Sequence, residues 1–209
     1  RIERLWRLEG HRVPAPRKTR QKANRGSGIA STWQLSSNGP SEIWSLDFVH
    51  TRTSSGAAIK VLNVVDEFTR VALGSRVAPA IGTRDVIDHL SGLLETHKAP
   101  RILRSDNGRE FTSELLAEWL KGRGIQQAFI DPGSPQQNAF VERFNGTMRD
   151  EVLNGESFHS VLEARVIIEA WVTEYNEVRP HRGLGMKTPM SSPEKLRWAG
   201  YESHFPPCR

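Results

Sequence analysis

The chain has 209 residues, a quarter of them charged, and a formal net charge of +5. That length can bury a substantial core, yet no stretch approaches the ~20 apolar residues of a membrane span and the amino terminus has no apolar signal core. The single cysteine, Cys208, excludes a disulfide framework and any zinc site built on paired cysteines, so a reducing cytoplasm is the expected setting.

Charge divides the chain into three. Residues 1–40 carry nine basic and two acidic side chains, residues 41–178 fourteen and twenty, and residues 179–209 six and two. The expected organisation is a basic arm over 1–40, a core over 41–178 and a basic tail over 179–209. A chain that begins with Arg1 is expected to continue from an upstream part. Phosphate binding is driven by Lys and Arg displacing counterions. An acidic middle between cationic flanks therefore assigns the grip on a polyanion to the arms, with Arg17, Lys18, Arg20 and Lys22 as candidates.

Residues 1–9, with Ile2, Leu5, Trp6 and Leu8 among charges, read as the end of a helix. Residues 10–40, rich in Gly, Pro, Ser and Arg, read as a linker. A strand apolar on both faces, hence central, is predicted over 43–50. Strands over 59–65 and 71–77 follow, joined by a short polar connection that suits an antiparallel hairpin. The period then switches: Val86, Leu90, Leu93 and Leu94 share a helical face over 83–97, capped by Thr83. Next come a strand over 101–106, a helix over 112–121 stopped by Gly122 and Gly124, and a strand over 125–130. A long helix is predicted over 136–154, and another over 160–178 opening on the capping box Ser160-x-x-Glu163. This order is a mixed α/β plan.

Three carboxylates stand in settings that suit metal ligands. Asp47 interrupts the apolar run Ile43-Trp44-Ser45-Leu46-Asp47-Phe48-Val49, where an uncompensated charge would cost several kcal/mol or more. Asp106 ends a strand and is followed by the turn signal Asn107-Gly108, which leaves it at a strand's carboxyl end, where sites collect. Glu142 lies on the helix that opens after Asp131-Pro132-Gly133-Ser134-Pro135. At ~100° per residue, Asn138, Glu142, Asn145 and Arg149 share a narrow sector, with Phe140, Val141, Phe144 and Met148 on another. The polar sector reads as a metal ligand with DNA-contacting neighbours. Mg²⁺ or Mn²⁺ fits such oxygen donors, and two ions can assist in-line displacement at phosphorus without a covalent enzyme intermediate. Asp66 reads as a hairpin-turn aspartate rather than a fourth ligand, His50 as pointing to the face opposite Asp47, and Trp171 and Tyr175 as structural.

The strings Trp44-Ser45-Leu46-Asp47-Phe48-Val49-His50, Asn63-Val64-Val65-Asp66-Glu67-Phe68-Thr69-Arg70, Ser105-Asp106-Asn107-Gly108-Arg109-Glu110-Phe111 and Pro135-Gln136-Gln137-Asn138-Ala139-Phe140-Val141-Glu142-Arg143-Phe144-Asn145-Gly146, with Tyr175-Asn176-Glu177-Val178-Arg179-Pro180-His181, resemble bacterial insertion-sequence transposases of the second-frame type. Those proteins carry a retroviral-integrase-like catalytic core, and the resemblance spans roughly residues 41–196. It implies a ribonuclease H-like fold with a mixed five-stranded sheet flanked by helices. It also implies a DDE triad at Asp47, Asp106 and Glu142, and two steps on DNA: nicking at element ends, then attack of a freed 3′-hydroxyl on another phosphodiester. The implied partners are element-end and target DNA and further copies of the chain, in a nucleoid-associated bacterial protein with no small-molecule substrate. An end-recognising helix-turn-helix region is expected upstream of residue 1. The rival readings are a ribonuclease H-fold nuclease that only hydrolyses, and an inactive transposase-derived DNA-binding protein.

Overall fold

The computed structural model describes residues 36–131 and 135–191. The expected amino-terminal helix, most of the linker, the basic positions Arg17, Lys18, Arg20 and Lys22, and the tail beyond Ser191 lie outside the described residues. Strands β1 (Ile43–Arg52), β2 (Ala58–Asp66), β3 (Ala72–Ala78), β4 (Ile102–Ser105) and β5 (Gln126–Phe129) form one sheet in the order β3-β2-β1-β4-β5. The β1–β2 and β2–β3 pairs are antiparallel, while β1–β4 and β4–β5 are parallel. Helices α1 (Thr83–Thr96) and α2 (Glu114–Lys121) supply the parallel connections, and α3 (Ala139–Met148) and α4 (Val161–Glu177) follow the last strand. This is the mixed α/β plan expected from the order of elements, and the ribonuclease H-like fold that the resemblance implies.

The apolar run of β1 belongs at the centre because both of its faces are covered. Trp44 and Leu46 point into a cluster with Val86, Leu90, Leu116 and Leu120 of α1 and α2. Val49 points into a second cluster with Val141, Phe144, Ile168 and Trp171 of α3 and α4. Trp171 and Tyr175 have the structural role read from sequence. They lie 5.4 and 4.7 Å from the Phe144 ring and hold α4 on α3. Asn176 extends the same stitch: its side chain accepts from the Ala72 amide and donates to the Ala72 carbonyl, both at 2.9 Å, pairing the outer edge of β3.

Two boundaries differ from the sequence reading. Gly82, not Thr83, is the N-cap of α1, because Asp85 three residues on accepts the Gly82 amide at 2.9 Å and needs no side chain at the cap itself. The long helix predicted over 136–154 is three pieces: a 3₁₀ turn Pro135–Asn138, α3, and a π turn Arg149–Leu153 closed by the Asn154 amide donating to the Arg149 carbonyl. The wider turn admits an extra residue, which carries Val152 and Leu153 into the same apolar cluster as Met148. At α4, Ser160 accepts the Glu163 amide as predicted, and the reciprocal carboxylate bond goes to the His159 amide at 2.5 Å.

Candidate active site

One polar row crosses the sheet on its α3/α4 face. Asp47 of β1 stands opposite Asn63 of β2, and Asn63 opposite Ser75 of β3. On the other side of β1, the parallel register pairs Ser45 with Arg104. Carried on by two residues, that register brings Asp106, just past the end of β4, beside Asp47. In a sheet, residues level with one another point to the same face and lie within ~5 Å across the strands. Two carboxylates 59 positions apart in sequence thus become neighbours because their strands are parallel and adjacent.

Each aspartate is held by donors. Asp47 Oδ1 accepts its neighbour's amide, Phe48 N, at 2.8 Å, and Oδ2 accepts from Asn145 Nδ2 of α3, also at 2.8 Å. Asp106 Oδ1 accepts the Gly108 amide at 2.9 Å, while Asn107 Nδ2 ties the turn to the Ile130 carbonyl at 2.9 Å. Gly108 allows a close approach: a Cβ at that position would stand 3.0 Å from Asp106 Oδ1 and 3.4 Å from the Phe111 ring, so any side chain there would press on the carboxylate. The turn signal after Asp106 is therefore conformational, as read from sequence.

Burial is the main force holding the Asp47 carboxyl above its ordinary pKa, and the like charge of Asp106 pushes the same way; the Phe48 amide, Asn145 and the more distant Arg149 oppose. Glu142 is also raised, first by desolvation and then by the charge of Asp47. The three carboxylates are thus within electrostatic range as a chain, Asp106 to Asp47 to Glu142. Their positions differ: Asp47 and Asp106 are half-buried on the sheet, while Glu142 is exposed on α3. Sequence reading has the three meeting at one point, whereas among the described residues no three acidic, histidine or cysteine side chains stand close enough to share one ion.

The helix sector read as DNA-facing divides. Arg149 is exposed beside the carboxylates. Asn138 and Asn145 are 1% and 4% exposed, and their side chains turn inward. Asn138 Nδ2 donates to the Leu46 carbonyl at 3.2 Å, and Asn145 bonds Asp47 and Asn63. A helix sector packed against the central strands of a sheet is not a solvated face, so these two amides are engaged by partners in the interior. Asp66 is likewise a turn residue, buried and accepting the amides of Ser41, Phe68 and Thr69.

A second buried assembly, missed from sequence, sets the start of α3. Arg104 of β4 and Glu67, just after β2, form an ion pair at 3.0 Å with side chains 5% and 1% exposed, and Ser45 donates to the same carboxylate. The Arg104 guanidinium also donates to the Gln137 carbonyl at 2.9 Å. Gln137 clasps Asp131 in both directions, accepting its amide at 2.7 Å and donating to its carboxylate at 2.9 Å. The end of β5 and the start of the helix bearing Glu142 are so fixed to the sheet. The signal available in sequence is a charged residue, Arg104, inside the apolar strand Ile102-Leu103-Arg104-Ser105, where it requires a partner.

Comparison with known proteins agrees with this architecture. Residues 37–135 and 123–189 match the family described as integrase core domain. The chain is 38% identical over 198 residues to an uncharacterized 31.7 kDa protein of insertion element IS407 from Burkholderia multivorans, covering 94% of this chain and 69% of that protein. It is 40% identical over 170 residues to an uncharacterized 39.2 kDa protein of insertion element IS476 from Xanthomonas euvesicatoria, covering 81% of this chain and 49% of that one. The HTLV-2 integrase catalytic core domain, solved in complex with magnesium, superposes with a TM-score of 0.57 at 18% identity over 74% of this chain and 97% of that one. That last likeness is one of fold.

Proposed function

From the premise that this chain belongs to the integrase-core family of bacterial insertion-element transposases, we propose that it cuts DNA at element ends and joins the freed 3′ ends to target DNA. Asp47, Asp106 and Glu142 are the catalytic carboxylates of this reading. The observation that carries it is the adjacency of Asp47 and Asp106 on parallel strands, with the charge of Asp47 reaching Glu142 across from α3.

The donor set fits a hard divalent cation. Asp47 is kept above its ordinary pKa by burial and by the charge of Asp106, and Glu142 by burial and by the charge of Asp47, so a positive charge among them relieves both costs. Asp47 and Asp106 would hold Mg²⁺ or Mn²⁺ from the sheet, while the exposed side chain of Glu142, which does not stand close enough to share an ion with them here, would have to turn in from α3 to complete the set; a pair of ions is the arrangement proposed. When bound, the metal supplies Lewis-acid charge at the attacking and leaving oxygens of an in-line displacement. The chain's own residues do the rest. The Phe48 amide and Asn145 fix the orientation of both Asp47 oxygens, the Asn107-Gly108 turn presents Asp106, and the Arg104–Gln137 bond seats the helix that carries Glu142. Arg149, exposed beside the carboxylates, supplies positive charge for a DNA phosphate, and Arg17, Lys18, Arg20 and Lys22 of the basic arm extend that grip. Joining two DNA ends calls for more than one copy of the chain.

The test supplies labelled element-end DNA and a target duplex with Mg²⁺ or Mn²⁺. Joined products are expected, and Asp47→Asn, Asp106→Asn and Glu142→Gln each abolish them. Cleavage without joining would replace the reading with a hydrolytic nuclease. Metal-dependent cutting that survives all three substitutions would remove both.

A further inference from the structure

We propose that Asn63 and Ser75 are positioning residues for Asp47, acting through Asn145 as a one-way hydrogen-bond relay that starts two strands away from the carboxylate. The inference rests on the reading of Asp47 as a metal-holding carboxylate and goes beyond it to residues that touch neither DNA nor metal.

The direction of the relay follows from donor and acceptor chemistry. An ionised carboxylate only accepts, so the Asn145 side chain must turn its Nδ2 to Asp47 Oδ2, as it does at 2.8 Å. That leaves Asn145 Oδ1, an acceptor, facing the sheet, where Asn63 Nδ2 donates to it at 2.7 Å. Asn63 Oδ1 then also needs a donor, and the Ser75 hydroxyl donates to it at 2.5 Å. Every link fixes the next. Reversing either amide would set oxygen against oxygen, at Asp47 or between the two asparagines.

Burial makes the relay binding on the site. Asn63 is 0% and Asn145 4% exposed, so bulk water does not supply a missing partner. The surroundings are apolar, with Val49, Val61, Val65, Val77 and Val141 in the same cluster, and the second partner of Asn63 Nδ2 is the weakly accepting Met148 sulfur at 3.7 Å. An unmade bond in such a place costs more than the made bond contributes. The placement is also too regular for chance contact: Asp47, Asn63 and Ser75 are directly opposed across three strands, and Asn145 lies over the junction of the first two. The carboxylate sets the sense of every link, and the Ser75 hydroxyl, donating at the far end of the row, holds Asn63 and through it Asn145 in that sense.

The test uses the full chain with Ser75→Ala and Ser75→Thr, small changes at a half-buried strand position. Mn²⁺ binding without DNA is measured by calorimetry, and the side-chain amide resonances of Asn63 and Asn145 are followed by NMR in metal-free protein. Ser75→Ala is expected to weaken Mn²⁺ binding about three- to tenfold, the equilibrium worth of one hydrogen bond, and to shift the Asn145 side-chain amide. Ser75→Thr, which keeps a hydroxyl, is expected to restore both. Unchanged Mn²⁺ affinity in Ser75→Ala, or a Ser75→Thr variant as weak as Ser75→Ala, overturns the proposal. Asp47→Asn distinguishes its failure from that of the functional reading. If wild-type Mn²⁺ binding does not depend on Asp47, the metal reading falls, and the Asn145 amide alone then decides the relay: a shift in Ser75→Ala sustains it and no shift ends it.

Discussion

The two faces of the sheet are built on different rules. Against α1 and α2, Trp44, Leu46, Leu62, Val64 and Leu103 meet Val86, Leu90, Leu116 and Leu120, and packing is apolar except for His89 beside Gly74 and the Trp44 indole nitrogen. Against α3 and α4, an equally apolar surround of valines, Phe144 and Ile168 is crossed by Ser75, Asn63 and Asp47, with Asn145 above them. Buried polar groups cost free energy unless every bond is made. The first face is therefore the fold's stabiliser, while the second carries a cost that the proposed role of Asp47 would account for. Natural proteins depart from their own folding rules chiefly at functional positions.

The largest expected effect tests whether the second face depends on complete polar pairing. Arg104→Met leaves Glu67 buried without its cation and should cost about 3–5 kcal/mol, the usual penalty for breaking a buried pair from one side, read by urea denaturation. A loss below ~1 kcal/mol would show that Glu67 is satisfied by Ser45 alone. Leu62→Ala, on the apolar face, should cost about 2–5 kcal/mol through transfer and cavity terms, with metal affinity per folded molecule unchanged. A selective loss of Mn²⁺ binding in that variant would erase the contrast between the faces.

Smaller effects follow from charge. The folded-state pKa of Asp47 lies above its unfolded value, so its carboxyl imposes no penalty in acid and an increasing one as pH rises from about 4 through the folded-state pKa. In metal-free protein the thermal midpoint of Asp47→Asn relative to wild type should consequently rise from acid to neutral pH, on top of a pH-independent cost for whichever donor, Phe48 N or Asn145 Nδ2, then faces an amide nitrogen. A difference between the two proteins that is the same at about pH 4 and pH 7 would contradict the burial and like-charge argument. Glu142→Gln should move the same way by less, since Glu142 is exposed. The smallest change in stability is expected for Arg149→Ala, within ~0.5 kcal/mol. Its DNA affinity should fall and its salt slope flatten by about one ion. An unaltered slope would take Arg149 off the DNA.

Much of this was legible from residues alone. Among the described residues, the five strands and four α-helices lie close to where periodicity puts them, because the repeat of two or of 3.6 is a local property. Asp47 and Asp106 stand out because a charge inside an apolar run and an Asn-Gly after a strand are each local anomalies with a physical meaning. Asn63 in Val61-Leu62-Asn63-Val64-Val65 is an anomaly of the same kind, yet its partners, Ser75 and Asn145, are 12 and 82 positions away. Asn138 and Asn145 look like surface amides on a helical wheel, since the wheel records an angle and not what lies beyond it. The division of the 136–154 segment at Met148 was hidden for a related reason: a π turn keeps the apolar character of the sequence and changes only its phase.

The sequence by itself determined the α/β class, the order of elements, the family resemblance and the three acidic positions, since each is carried by neighbours in the chain. Only the tertiary structure decided that Asp47 and Asp106 are level on adjacent parallel strands and that Glu142 stays on the exposed side of its helix. It alone turned two asparagines from the solvent to the sheet. Register and the direction of a hydrogen-bond chain are relations between segments, and burial fixes them only when those segments have packed together.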